Sequence, residues 1–92
     1  MKKIYKYILS VTELQTIFLP KGSEILSVQE QHDSACLWAL VPIDDKLMDD
    51  AFTIAIFGTG HAIYRDTDEM IYLGTFQLDA GNFVGHAFLI PN

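Results

Sequence analysis

Hydrophobic residues recur in this chain with a period of two almost from end to end, and that pattern excludes most folds. Successive side chains of a strand point to opposite faces, so alternation marks a strand with one buried face, whereas a helix would repeat every 3.6 residues. Lys3 to Leu9 sets Tyr5, Tyr7 and Leu9 on one face and Ile4, Lys6 and Ile8 on the other. Leu14 to Leu19 is a second short strand, ended by Pro20-Lys21-Gly22, where Pro fixes φ and Gly permits a positive one. In Glu24 to Gln31, Leu26 and Val28 face one way while Ser27, Gln29 and Gln31 face the other. His32, Asp33 and Ser34 read as a hairpin turn. Ala35 to Val41 is apolar on both faces, which places it in the middle of a sheet.

Beyond that strand, Pro42 to Asp50 is the most polar stretch and reads as an exposed loop with room for one helical turn. Phe52 to Phe57 resumes the strand pattern and stops at Gly58-Thr59-Gly60. His61 to Tyr64 fits a short strand or an extended loop, and Arg65 to Glu69 a polar turn. Met70 to Leu78 is a strand with Gly74 inside it, and a glycine there marks a bulge or a close backbone approach. Asp79-Ala80-Gly81-Asn82 is a turn, and Phe83 to Ile90 a last strand. Turns at roughly 8–12 residue spacing with no amphipathic helix define an all-β, mainly antiparallel architecture. The expectation is a single β domain over residues 1–92, a small sandwich or barrel of about seven or eight short strands. Its expected core is Ile25, Leu26, Val28, Leu37, Trp38, Leu40, Ile54, Ile56, Leu73, Phe76, Val84 and Phe88.

Composition narrows the function classes. Half of the 92 residues are hydrophobic, more than a small monomer needs, and surplus apolar surface on a small domain often forms an interface. The net charge is −6 and the six basic residues form no patch, which argues against direct nucleic-acid binding. No stretch nears ~18 uninterrupted apolar residues, and Ile4 to Leu9, broken by Lys6, is too short for a secretory leader, so no membrane association is expected. Cys36 is the only cysteine, so neither an internal disulfide nor a thiolate zinc cluster can form. A reducing, cytoplasmic setting is the expectation.

Gly58-Thr59-Gly60-His61 is the most distinctive tetrapeptide. Its glycines expose N–H groups suited to an anion and His61 adds a donor, but the residues beyond it do not read as the helix that phosphate loops require. A hairpin or bulge whose glycines supply positive φ is the simpler reading and is preferred to a ligand loop. Asp44, Asp45, Asp49 and Asp50 read as a solvated acidic surface suited to a basic partner, since the glycine and terminal glutamate of a calcium loop are missing. His32, His61 and His86 lie in separate segments without metal-ligand spacing, and His86 shares a strand face with Val84 and Phe88, as a core or interface histidine would. Cys36 fits a buried inert thiol, and no serine has a nucleophile-elbow context. These residues imply no cofactor, no metal and no catalytic constellation.

Several segments, in order, resemble a family of small uncharacterised proteins common in bacteriophages and prophages. They are Lys3-Ile4-Tyr5-Lys6-Tyr7, Leu19-Pro20-Lys21-Gly22, Leu37-Trp38-Ala39-Leu40-Val41, Gly58-Thr59-Gly60-His61 and Leu73-Gly74-Thr75-Phe76-Gln77. The chain departs from the pattern at His86-Ala87-Phe88-Leu89, where an acidic residue is expected at the end. The resemblance implies a phage-encoded protein working in the cytoplasm of a bacterial host. The leading expectation is a non-enzymatic accessory protein that inhibits a host defence system by binding a host protein, through Asp44 to Asp50 and the Arg65 to Glu69 turn. A binder of a nucleotide-derived signal at Gly58 to His61 is the first alternative, and a structural or virion-associated homo-oligomer the second.

Overall fold

The computed structural model describes residues 1–44 and 48–91. Its strands are β1 (Lys2–Ile8), β2 (Leu14–Pro20), β3 (Glu24–Gln31), β4 (Ser34–Pro42), β5 (Asp49–Gly58), β6 (Ile71–Leu78) and β7 (Phe83–Ile90). They form a three-stranded sheet in the order β1-β4-β3 and a four-stranded sheet in the order β2-β5-β7-β6. Every pairing is antiparallel. The two sheets face each other as a sandwich, as the alternation predicts.

The doubly apolar segment is the central strand of the smaller sheet. Its inward residues Ala35, Leu37, Ala39 and Val41 join the core with Leu9, Leu19, Val28, Ile54, Ile56, Phe76 and Ala87. Its outward residues, Cys36, Trp38 and Leu40, lie between Ile8, Lys6 and Ile4 of β1 on one side and residues of β3 on the other. Lys6 shields that face: its Nζ lies 5.9 Å over the Trp38 ring and donates to Gln31 Oε1 at 2.7 Å, reaching across β4.

The alternation misplaces part of the expected core, for a local reason. A bulge falls between Ile25 and Ser27, so Ile25 pairs with inward Ala39 and Val28 with inward Leu37. Leu26 is the extra residue and is turned outward. Trp38, Leu40, Val84 and Phe88 occupy the outward faces of their strands, half-buried. Leu9, Leu19, Ala35, Ala39, Val41 and Ala87 fill the places the expected list omits.

Turn chemistry holds the strands in register. His32 and Asp33 both have positive φ, the signature of a two-residue type I′ hairpin between β3 and β4. A second bulge lies between Tyr72 and Gly74, where β6 runs against β3 of the opposite sheet. A Cβ on Gly74 would overlap the Val28 carbonyl oxygen, so both readings of this glycine hold. Among the described residues the helical turn lies at Asp79–Gly81, and part of the expected Pro42 to Asp50 stretch lies outside them. The residues after Pro42 are shorter as a connection than expected, because Asp49 and Asp50 already pair with Pro20 and Leu19 as the first residues of β5. His61 to Tyr64 is loop rather than strand.

Among the described residues the sandwich is closed on one side. β3 and β6 pack together along one flank, and no comparable contact joins β1 to β2 on the other among the described residues.

Candidate functional site

The expected site residues do not form one site. Asp49 opens β5 and Gly58 closes it, and at ~3.3 Å per residue the two ends lie about 30 Å apart. Asp45 lies outside the described residues. Asp44 and Asp49 line one depression beside Tyr5 and Tyr7, while Asp50 borders another with Phe52 and Leu89. The Arg65 to Glu69 segment is a turn, with Asp68 N donating to Asp66 Oδ1 at 2.9 Å and Met70 N to the Thr67 carbonyl at 3.2 Å.

Gly58-Thr59-Gly60-His61 is a β-turn closed by His61 N donating to the Gly58 carbonyl at 3.1 Å. Gly60 has φ +84°, which a type II turn requires at its third position. The turn also presents two side chains. His61 lines an open groove of about 480 Å³ with Thr12, Phe57, Tyr64 and Phe83. Thr59 Oγ1 lies 2.6 Å from His86 Nε2.

His86 is the hub of a network that the sequence reading did not assemble. Its Nδ1 lies 3.0 Å from Thr75 Oγ1, and that oxygen lies 2.6 Å from the Tyr72 hydroxyl. Cross-strand register explains the meeting, since His86 pairs with Phe57 on one side and Thr75 on the other. Both ring nitrogens are occupied. In neutral His86 one nitrogen donates and the other accepts, so the threonine hydroxyls must orient oppositely, whereas the charged ring donates to both. Aromatic rings flank the network: Phe88 lies 5.6 Å from Tyr72 and 6.1 Å from Phe57. His86 thus lies on the outward face and is half-buried, not in the core. The available signal was the spacing itself, because Thr75 and His86 each belong to a strand whose alternation was legible.

The open side of the sandwich holds the second arrangement. Lys3, Tyr5 and Tyr7 share the inward face of β1 and line a groove of about 260 Å³ with Pro20, Asp44 and Asp49. The two tyrosine rings are 5.5 Å apart, and the Lys3 ammonium lies 5.0 Å over Tyr5. Burial raises the Tyr7 pKa above the usual tyrosine value, and the neighbouring Tyr5 and Asp49 raise it further. Each of these groups makes the phenolate costlier than the neutral phenol.

Among the described residues, no group of three or more His, Cys, Asp or Glu side chains is placed to hold a metal ion. Cys36 is 1% exposed, as an inert thiol would be, and its Sγ lies 3.6 Å from the Ser34 carbonyl. No described helix is long and apolar enough to cross a membrane.

Fold and surface together define a small antiparallel β-sandwich that offers open grooves and exposed apolar faces. The chain belongs to the DUF7352 family, a domain of unknown function, whose model matches residues 1–92. No curated protein and no solved structure matches it.

Proposed function

We propose that this sandwich is a non-enzymatic binding protein whose partner is another protein, and that its setting is that of a phage or prophage accessory protein inhibiting a bacterial host defence system. The observation that carries the binding reading is the exposure of large apolar side chains on both outward sheet faces. Ile4 and Ile8 are 61% and 68% exposed on the smaller sheet, and Phe18 and Tyr72 are 62% and 59% exposed on the larger. Leu14 and Leu26 add to these faces. The slab measures 42 × 31 × 15 Å, so each outward face is broad relative to the core beneath it. Apolar side chains clustered beside aromatic rings are typical of interface centres. The sequence resemblance to phage and prophage proteins supports the setting, and the net charge of −6 favours a partner with a basic surface.

A second reading has its own observation. The groove beside His61, with Tyr64, Phe57 and Phe83 on its walls, suits a small planar ligand such as a nucleotide-derived signal.

The discriminating experiment compares capture from bacterial lysate by the wild-type protein and by the outward-face variants Ile8→Lys and Phe18→Asp. A stoichiometric host protein lost with either variant supports the protein-partner reading. A retained small molecule with no protein moves the assignment to the ligand reading. Recovery of only the protein's own second copy makes it a self-assembling module.

A further inference from the structure

The groove on the open flank of the sandwich has a defined chemistry. Its walls include Tyr5, Tyr7, Asp44 and Asp49, with Pro20, Pro42 and apolar neighbours around them. The face of a tyrosine ring attracts cations, and a nearby carboxylate adds charge-assisted hydrogen bonds. The protein already shows this preference, because the Lys3 ammonium lies 5.0 Å over the Tyr5 ring. Lys3 is tethered to the same strand as Tyr5 and lies over that ring. Space remains beside Tyr7 and Asp49, in a volume of about 260 Å³. Tyr5 is half exposed, so its ring is accessible from outside.

We propose that this groove receives an arginine side chain of a protein partner, its guanidinium stacked on Tyr5 in place of Lys3, flanked by the tilted Tyr7 ring and hydrogen-bonded to Asp49. Arginine suits the site better than lysine. Its planar guanidinium stacks on an aromatic face and presents two parallel N–H groups to a carboxylate. Tyr5 supplies the face and Asp49 the carboxylate, with Tyr7 closing one side of the groove. The net charge of −6 brings a basic segment toward the surface, while the tyrosine pair selects where its side chain lodges. This inference rests on the protein-partner reading and names the chemistry of one contact.

The test is an NMR titration of the labelled protein with a short, otherwise neutral peptide carrying one arginine. The control is the same peptide with citrulline, which keeps the shape and removes the charge. Shifts are expected at Tyr5, Tyr7 and Asp49 with the arginine peptide only. Tyr5→Leu and Asp49→Asn should each weaken binding about threefold or more, and Lys3→Ala should tighten it by a similar factor, because the internal competitor is gone. The tightening is the distinguishing result, since general acidic attraction gives a smaller gain spread over the whole surface. Equal shifts with citrulline, shifts scattered over the surface, no shifts at all, or no gain with Lys3→Ala would overturn the proposal. A host protein that remains bound to the Tyr5→Leu variant removes the groove and leaves the binding reading intact. Arginine-peptide binding without any captured protein does the reverse.

Discussion

The Asp33 side chain accepts a hydrogen bond from the Asp79 backbone N–H at 2.7 Å, joining the β3–β4 hairpin to the β6–β7 turn across 46 residues of sequence. Asp79 and Ala80 both have φ of +53°, an unfavourable conformation for residues with a Cβ. The carboxylate of Asp33 therefore fixes a strained turn from outside it. Asp33→Ala is expected to lower stability by about 1–1.5 kcal/mol, and Asp33→Asn by less, because the amide oxygen still accepts. The midpoint of urea unfolding, at unchanged slope, measures both.

Relief of the same strain should work in the opposite direction. Ala80→Gly removes the Cβ that disfavours a positive φ, which is worth about 1 kcal/mol before the added freedom of the unfolded chain is subtracted. A small rise in melting temperature is expected. A fall would mean that the Ala80 methyl contributes more by contact than its backbone costs.

Gly74 sits where β6 meets β3, with no room for a side chain beside the Val28 carbonyl. Because that neighbour is backbone, it cannot swing aside. Gly74→Ala is expected to cost about 3 kcal/mol, through displacement of one sheet against the other. Calorimetry gives the loss, and amide exchange should show it spreading first through β3 and β6.

The Thr59–His86–Thr75 network predicts a coupling rather than a large single effect. His86 is half-buried, so water can replace a lost partner, and Thr75→Val alone should cost no more than about 1 kcal/mol. A double-mutant cycle on Thr59→Val and His86→Phe should return an interaction energy of about 0.5–1.5 kcal/mol. A value near zero would show that the 2.6 Å contact adds nothing to folding.

Tyr7 links the open flank to alkaline pH. Its folded pKa is raised, first by burial and then by Tyr5 and Asp49, above an unfolded value of about 10. Between those two values the unfolded phenol loses its proton while the folded one keeps it. Stability is therefore full below the unfolded pKa and declines as pH rises through the folded one. Phenolate absorbance should show one tyrosine titrating late. Asp49→Asn should bring its midpoint down only in part, because burial remains.

The strand pattern was legible because alternation is a local property. Ala35 to Val41 declared itself a central strand by being apolar on both faces, and β4 is that strand. Leu26 was misread because a bulge adds one residue without marking the sequence, and every face assignment before it changes phase. The acidic residues and the Gly58 turn were each visible as unusual stretches. Their separation at opposite ends of β5 was not, since Asp49 and Asp50 resemble loop residues until their pairing with Pro20 and Leu19 is known.

The sequence by itself determined that this protein is built of short antiparallel strands, where its tight turns fall, and that Gly74 marks a bulge or a close backbone approach. Each follows from nearest-neighbour sterics and side-chain alternation. Tertiary structure alone decided the strand order, the closed β3/β6 flank and the open β1/β2 flank. It also brought Thr59, Thr75 and His86 together, and set Lys3, Tyr5 and Tyr7 facing Asp49. Those meetings depend on how non-adjacent strands pair and how two sheets stack, and sums over the whole core decide both, which no local pattern encodes.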